Sequence, residues 1–189
     1  MKVRDSGMPD EKLWNEFFDT DLFLSELQIG SQTTDLVEIG CGYGTFTIPA
    51  AKLLKGTLFA FDIDNKMIDY LNQKLHRHHI DNVILEQRDI LLETTGLPDN
   101  SVDYVMLFNI LHHDSPEDFL NESYRILKQK GKIGIIHWRS DISTPRGPDL
   151  NIRPKPNQIM KMIDNKRFNI AKEPFILEPY HFGLVVSKI

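Results

Sequence analysis

"VEIGCGYGTF", Val37 to Phe46, places Gly40, Gly42 and Gly44 at alternate positions between two apolar runs. "DLVEIG" (35–40) reads as a strand buried on both faces and "FTIPAAKLL" (46–54) as the helix after it, so the glycines occupy a strand-loop-helix turn. A loop without side chains lets the backbone approach a ligand, and the amides at the helix start favour partial negative charge there. The spacing is G-x-G-x-G, whereas the dinucleotide fingerprint G-x-G-x-x-G has its third glycine where this chain has Thr45. Glu38, two residues before the first glycine, points the same way. A carboxylate at the end of that strand repels a pyrophosphate and suits a ligand carrying an ammonium and a sulfonium.

Outward from the loop, strand-like and helix-like segments alternate, which predicts an α/β fold with a mostly parallel sheet. "TLFAFDI" (57–63) is the second strand, and "NKMIDYLNQKLHRHH" (65–79) is a helix with Met67, Ile68, Leu71 and Leu75 at helical spacing. "NVILEQ" (82–87) and "VDYVMLFN" (102–109) are the third and fourth strands. "SPEDFLNESYRILK" (115–128) reads as a helix with Ser115 as N-cap, Pro116 at its first position and Asp118 three residues after the cap. "GKIGIIHW" (131–138) is the fifth strand, and the proline-rich stretch 139–157 predicts a long loop. A helix (158–166) and two strands (168–177 and 181–189), close enough for a hairpin, complete the chain. Ahead of the sheet, residues 9–28 form one or two amphipathic helices with Leu13, Trp14, Phe17 and Phe18 on one side, suited to cover a pocket mouth.

With 41% hydrophobic residues, 189 residues fit one globular domain. The formal charge of -5, from 22 basic and 27 acidic residues, argues against broad, sequence-independent binding to nucleic acid or anionic membrane. Cys41, the only cysteine, has no internal disulfide partner, and no apolar run is long enough to cross a bilayer. The opening Met1 to Trp14 has acidic residues and no apolar core of a signal peptide, so a cytoplasmic location is expected.

Asp62 closes the second strand, where a carboxylate accepts hydrogen bonds from both hydroxyls of a ribose, a feature common to NAD and S-adenosylmethionine sites. In order and spacing, "VEIGCGYGTFTIPAA", "LFAFDID", "QRDI" and "VDYVMLFNILHHDSPEDFLNESYRILKQKGKIGI" resemble the motifs of class I S-adenosylmethionine-dependent methyltransferases, over about residues 33–138. The resemblance implies a three-layer Rossmann-like sandwich whose seven-stranded sheet has the order 3-2-1-4-5-7-6, with strand 7 antiparallel. It divides the single domain (1–189) into an N-terminal helical cap (1–32), a cofactor-binding core (33–138) and a substrate-side loop, helix and strand pair (139–189). By position, Gly40, Gly42 and Gly44, with Cys41 in the same loop, would flank the methionine and ribose of S-adenosylmethionine, and Glu38 would reach its ammonium. Asp62 would hold the ribose hydroxyls, Ile63 would pack on the adenine, Asp89 would accept from the adenine amino group and Ile90 would donate its backbone N–H to the ring. Asn109 would contact the methionine end.

Methyl transfer is an in-line displacement at a carbon already activated by the sulfonium, so a catalytic base is optional. For a hydroxyl or protonated amine a base helps, and the family's acceptor site opens after strands 4 and 5 beneath the N-terminal segment. His112, His113 and His137 fall there as candidate bases, with Tyr43 and Trp14 as lining residues and Arg139 and Arg146 as a clamp for a carboxylate or phosphate. The residues alone leave plainer alternatives open: "LHH" as packing or as a cap of the next helix, Asp62 as a helix cap, Asp89 as a loop carboxylate, Trp14 as core, and the arginines as partners of the chain's acids. "HRHH" (76–79) suits a helix C-terminus, and no metal site is expected. The chain has "NILH" where methyltransferases of nucleic-acid amino groups carry an N-P-P-Y-like motif, and it has no cysteine outside the glycine loop for cytosine C5 or arsenic chemistry. A small-molecule acceptor is therefore expected. Two rivals stand: a non-catalytic S-adenosylmethionine-binding domain, and an NAD(P)-dependent reductase suggested by the Y-x-x-x-K spacing of Tyr70–Lys74 and Tyr124–Lys128.

Overall fold

The computed structural model describes residues 9–189; the first eight, which begin both the helical cap and the stretch read as no signal peptide, lie outside the described residues. Strands β1 (Leu36–Ile39), β2 (Leu58–Asp62), β3 (Val83–Gln87), β4 (Val102–Phe108), β5 (Leu127–Trp138), β6 (Phe168–Leu177) and β7 (His181–Lys188) form one sheet in the order β3-β2-β1-β4-β5-β7-β6. The first five are mutually parallel, and β7 runs antiparallel to both β5 and β6. The order and the reversed strand are those expected. Helices α1 (Glu11–Asn15), α2 (Thr20–Glu26), α3 (Thr47–Leu53) and α4 (Asn65–Arg77) precede α5 (Ile90–Glu93), α6 (Pro116–Ile126) and α7 (Pro156–Met162).

Successive side chains of a strand point to opposite faces, so each strand feeds two cores. Leu36, Leu58, Ala60, Tyr104, Met106 and Phe108 pack with Phe23, Ala50, Leu71 and Leu75 on one side. Val37, Ile39, Val105, Leu107, Ile133 and Ile135 pack with Phe119, Ile126 and Ile159 on the other. Burial on both faces is why β1 and β4 are apolar at every position but Glu38 and Asp103. Among the bonds that tie in the N-terminal helices, Tyr104 donates its hydroxyl to the Leu27 carbonyl, just past α2, at 2.6 Å. Gly134 of β5 makes room for it, since a Cβ there would stand 2.2 Å from the Tyr104 hydroxyl oxygen.

Several boundaries differ from expectation for local reasons. The helix expected over 158–166 starts at Pro156 and ends at Met162. Gln158 Oε1 accepts from the Lys155 backbone N–H at 2.7 Å, starting the helix early, and Asp164 accepts from the Lys166 N–H at 2.9 Å, turning the chain toward β6. The fifth strand begins at Leu127 rather than at 131, paired with Val102 ahead of a register shift. Ser115 precedes α6 but makes no side-chain cap; its backbone N–H donates to His113 Nδ1 at 3.2 Å instead. A short helix, α5, stands where only a loop was expected. No helix among the described residues is long and apolar enough to cross a membrane.

Candidate active site

The carboxyl ends of β1, β2 and β4 converge on the glycine loop. Gly40 (φ +81°) and Gly44 (φ +75°) occupy left-handed backbone, and a Cβ on Gly44 would stand 2.2 Å from Leu71 Cδ1, so glycine lets α4 close against the loop. The N–H groups of Gly40 and Cys41 both donate to the Phe61 carbonyl, at 2.8 and 3.0 Å, and that of Gly42 donates to Asp62 Oδ2 at 2.8 Å. Asp62 Oδ1 accepts from the Asp64 N–H at 2.9 Å. The carboxylate thus fixes the loop, and each oxygen keeps acceptor capacity for a ligand hydroxyl. Ile63, 40% exposed, follows it.

Glu38 is buried, and its Oε2 accepts from Thr47 Oγ1 of α3 at 2.5 Å. Burial raises its carboxyl to about 8; the Thr47 bond opposes that rise and the nearby Asp62 adds to it. At neutral pH the protonated carboxyl is favoured. Burial likewise raises Asp62. Asn109, just past β4, has φ +59°, and its N–H donates to the Ile136 carbonyl at 2.8 Å. Its side-chain Oδ1 is buried without a partner. Asp89 caps α5 by accepting from the Leu91 N–H at 3.1 Å, which puts Ile90 in the first turn, where backbone amides have no partner inside the helix. Burial, then Glu38 and Asp62, push the Cys41 thiol well up, so it is a neutral lining group.

Past β4, a turn from Ile110 to His113 follows Asn109, closed by the His113 N–H on the Ile110 carbonyl at 3.2 Å. His112 Nδ1 lies 3.3 Å from Nε2 of His137, a fully buried residue near the end of β5, and His137 Nδ1 lies 3.3 Å from the Trp138 carbonyl. Burial drops the His137 imidazole to about 3. His113 turns away to accept from Ser115 and meets Phe119 edge-on. Trp14 packs against Phe17, Phe18 and Trp138 beneath the N-terminal helices. Arg139 binds Asp141 through two bonds, at 3.1 and 2.9 Å, and lines a pocket of ≈ 460 Å³ with Ser140, Lys155, Asn157, Ile176 and Phe182. Arg146 is exposed and lies outside that lining.

Three features escaped the sequence reading or, at Arg153, differ from it. Glu11 of α1 bonds both Tyr70 and Lys74, and Lys74 Nζ also donates to the Tyr43 carbonyl at 2.8 Å. The first Y-x-x-x-K pair therefore straps α1 over the glycine loop, with Tyr43 Oη donating to the Pro9 carbonyl at 3.0 Å and Thr45 to Asn15 at 2.8 Å. The one-face spacing was visible, but its partner was not. Arg153, 7% exposed, pairs with backbone rather than with acids: it donates to the carbonyls of Pro148, Arg139 and Arg146 at 2.7, 2.8 and 3.2 Å and sits over the Trp138 ring. His181, also buried, has neither ring nitrogen partnered.

Residues 37–135 match the family model described as a methyltransferase domain. The chain belongs to that family. This methyltransferase domain is 30% identical over 126 residues to an uncharacterized methyltransferase-like protein of Schizosaccharomyces pombe, covering 67% of this chain and 46% of that one. It is 30% identical over 122 residues to demethylmenaquinone methyltransferase of Lactobacillus johnsonii, covering 61% and 47%. The chain thus spans about half the length of these curated relatives. The crystal structure of a SAM-dependent methyltransferase from Aquifex aeolicus superposes with a TM-score of 0.83 at 22% identity, covering 95% of each chain, and so shares the fold.

Proposed function

We propose that this methyltransferase domain transfers a methyl group from S-adenosylmethionine to a small-molecule acceptor. The observation that carries the reading is the pairing, around one glycine loop, of a buried carboxyl that lacks a cation with an orphaned carboxamide oxygen. Glu38 and Asn109 Oδ1 lie at the ends of adjacent strands, and a ligand bearing an ammonium fits both. An unpartnered buried acceptor costs about 1–3 kcal/mol, which a ligand N–H would relieve. Asp62 meets the ribose hydroxyls, Ile63 offers an exposed apolar face to the adenine, and Asp89 with the Ile90 amide reads its edge.

S-adenosylmethionine, when bound, supplies an electrophilic methyl on a sulfonium. The chain's contribution is alignment and exclusion of water. The glycine loop positions the donor, the α1 strap and the Trp14 cluster cover it, and the turn after β4 brings His112 to the acceptor side. The pocket beyond β5 is lined by Lys155 and by Arg139, whose guanidinium pairs with Asp141 of the same lining, so an acidic acceptor group there would have to compete with Asp141 for Arg139.

Calorimetric titration of the purified protein, stripped of bound nucleotide, tests the reading. S-adenosylmethionine and S-adenosylhomocysteine should bind, NADH should not, and Asp62→Asn should weaken both sulfur nucleotides about tenfold or more. Arg139→Ala should leave those affinities within about twofold. Binding of NADH alone would overturn the assignment.

A further inference from the structure

We infer that Thr47 is a positioning residue of the donor site: across the glycine loop its hydroxyl holds the buried Glu38 carboxyl and readies it as the carboxylate that a ligand ammonium needs. The inference rests on the methyltransferase reading for the identity of the ligand. It starts from where the two side chains stand. Glu38 lies on β1 and Thr47 opens α3, nine positions later, so their bond joins strand to helix across the loop that carries Gly40, Gly42 and Gly44. Both residues are buried, Thr47 completely, and Thr47 Oγ1 stands 2.5 Å from Glu38 Oε2. Thr47 is itself fixed by the first turn of α3, where the Ile48 N–H donates to the Gly44 carbonyl at 3.1 Å. The bond therefore sets where the carboxyl points.

A buried carboxylate needs compensation, and the surroundings of Glu38 supply little of it. Its partners across the sheet are Ala60 of β2 and Met106 of β4, which carry no charge. Asp62, closing β2, is a like charge, and the Cys41 thiol in the loop is held neutral. Among the described groups that act on Glu38, Thr47 alone favours its ionised form. A hydroxyl bonds a carboxylate roughly twice as strongly as a neutral carboxyl, so the contact favours loss of the proton. Burial alone would hold the carboxyl neutral and of little use to an ammonium. With Thr47 in place, ionisation comes within reach of the ligand's own charge.

A bond that served only the fold would weaken the ligand equally at every pH when removed, and that difference gives the test. Carbon-13 spectra of the full chain labelled at glutamate side chains, with Glu38 assigned through Glu38→Gln, follow this carboxyl directly. In the unliganded protein its midpoint should lie at about 8. Thr47→Val should raise it by about one unit, while Thr47→Ser, which keeps the hydroxyl, should leave it near the wild-type value. An unmoved midpoint in Thr47→Val overturns the inference. If that variant fails to fold, Thr47→Cys, whose thiol is a weaker donor, should give a smaller rise in the same direction, and no rise there is the overturning result.

Calorimetric titration with S-adenosylhomocysteine, which carries the same ammonium as the donor, reads the functional side. Wild type should bind about tenfold more tightly than Thr47→Val near about pH 6.5 and only about twofold more tightly near about pH 9, as both carboxyls approach full ionisation. Ionisation of the ligand cancels from this ratio, and Thr47→Ser should restore the wild-type profile. A ratio that stays constant across the range would assign Thr47 to the fold alone and remove it from the site. If S-adenosylhomocysteine binds neither wild type nor variant, the cofactor reading falls, and the unliganded midpoints still decide whether Thr47 governs Glu38.

Discussion

The glycine loop and the 139–155 loop leave the same edge of one sheet, yet they are built by different means. The first is held by contacts to the neighbouring strand: Phe61 and Asp62 take the amides of Gly40, Cys41 and Gly42, and Leu71 fills the space a Cβ would need. The second is held by one buried guanidinium, Arg153, gathering three carbonyls over Trp138. In the glycine loop residue identity is constrained position by position. In the second loop one side chain holds a path that passes through many residues. The first is rigid by sterics, and the second is shaped by a removable staple.

The contrast can be broken first at Gly44. Gly44→Ala puts a methyl group into Leu71 on left-handed backbone, and we expect a loss of about 2–4 kcal/mol in urea unfolding together with loss of S-adenosylmethionine binding. A variant of wild-type stability would mean that the loop yields as easily as its counterpart. Next is the pH dependence of Glu38. Its folded value of about 8 lies above the unfolded value near 4.5, so unliganded stability should fall as pH rises through that window and level off above it. Affinity for the cationic donor should move oppositely, rising with pH up to about 8 by at most about tenfold per unit, with a proton released on binding. Glu38→Gln should flatten both profiles; calorimetry in buffers of different ionisation enthalpy measures the released proton, and its absence would detach Glu38 from the ligand. The smallest effect concerns the anchor of the N-terminal helices. Tyr104→Phe should cost about 1–2 kcal/mol by orphaning the Leu27 carbonyl, with donor affinity little changed.

Legibility in the sequence follows the same divide. The strands and the glycine turn could be read because their signals are local: glycines at fixed offsets, a carboxylate closing a strand, apolar runs of strand length; the strand order and the reversed strand came from the resemblance to the methyltransferase family. Asp89 shows the limit of that reading, since its cap of α5 needs only the next two residues and was still not foreseen. The cover of the glycine loop, the turn after β4 and the anchoring of the N-terminal helices depend on partners far apart in the chain. Glu11 meets Lys74 across 63 positions, His112 meets His137 across 25, and Tyr104 meets Leu27 across 77, and no spacing rule connects such pairs. Ser115 stands at the N-cap of α6 with Pro116 after it, as expected, but its side chain makes no capping bond.

Arg153 carries a consequence for how this domain changes over generations. It grips carbonyl oxygens, which every amino acid provides, so the segment from Ser140 to Asp149 can exchange side chains while its course over Trp138 stays the same, except at Gly147, whose φ of +102° and Cβ position 2.8 Å from Trp138 Cδ2 hold it to glycine. Drift at Ser140 and Asp141 can therefore alter the lining of the pocket beyond β5 at little cost to the scaffold.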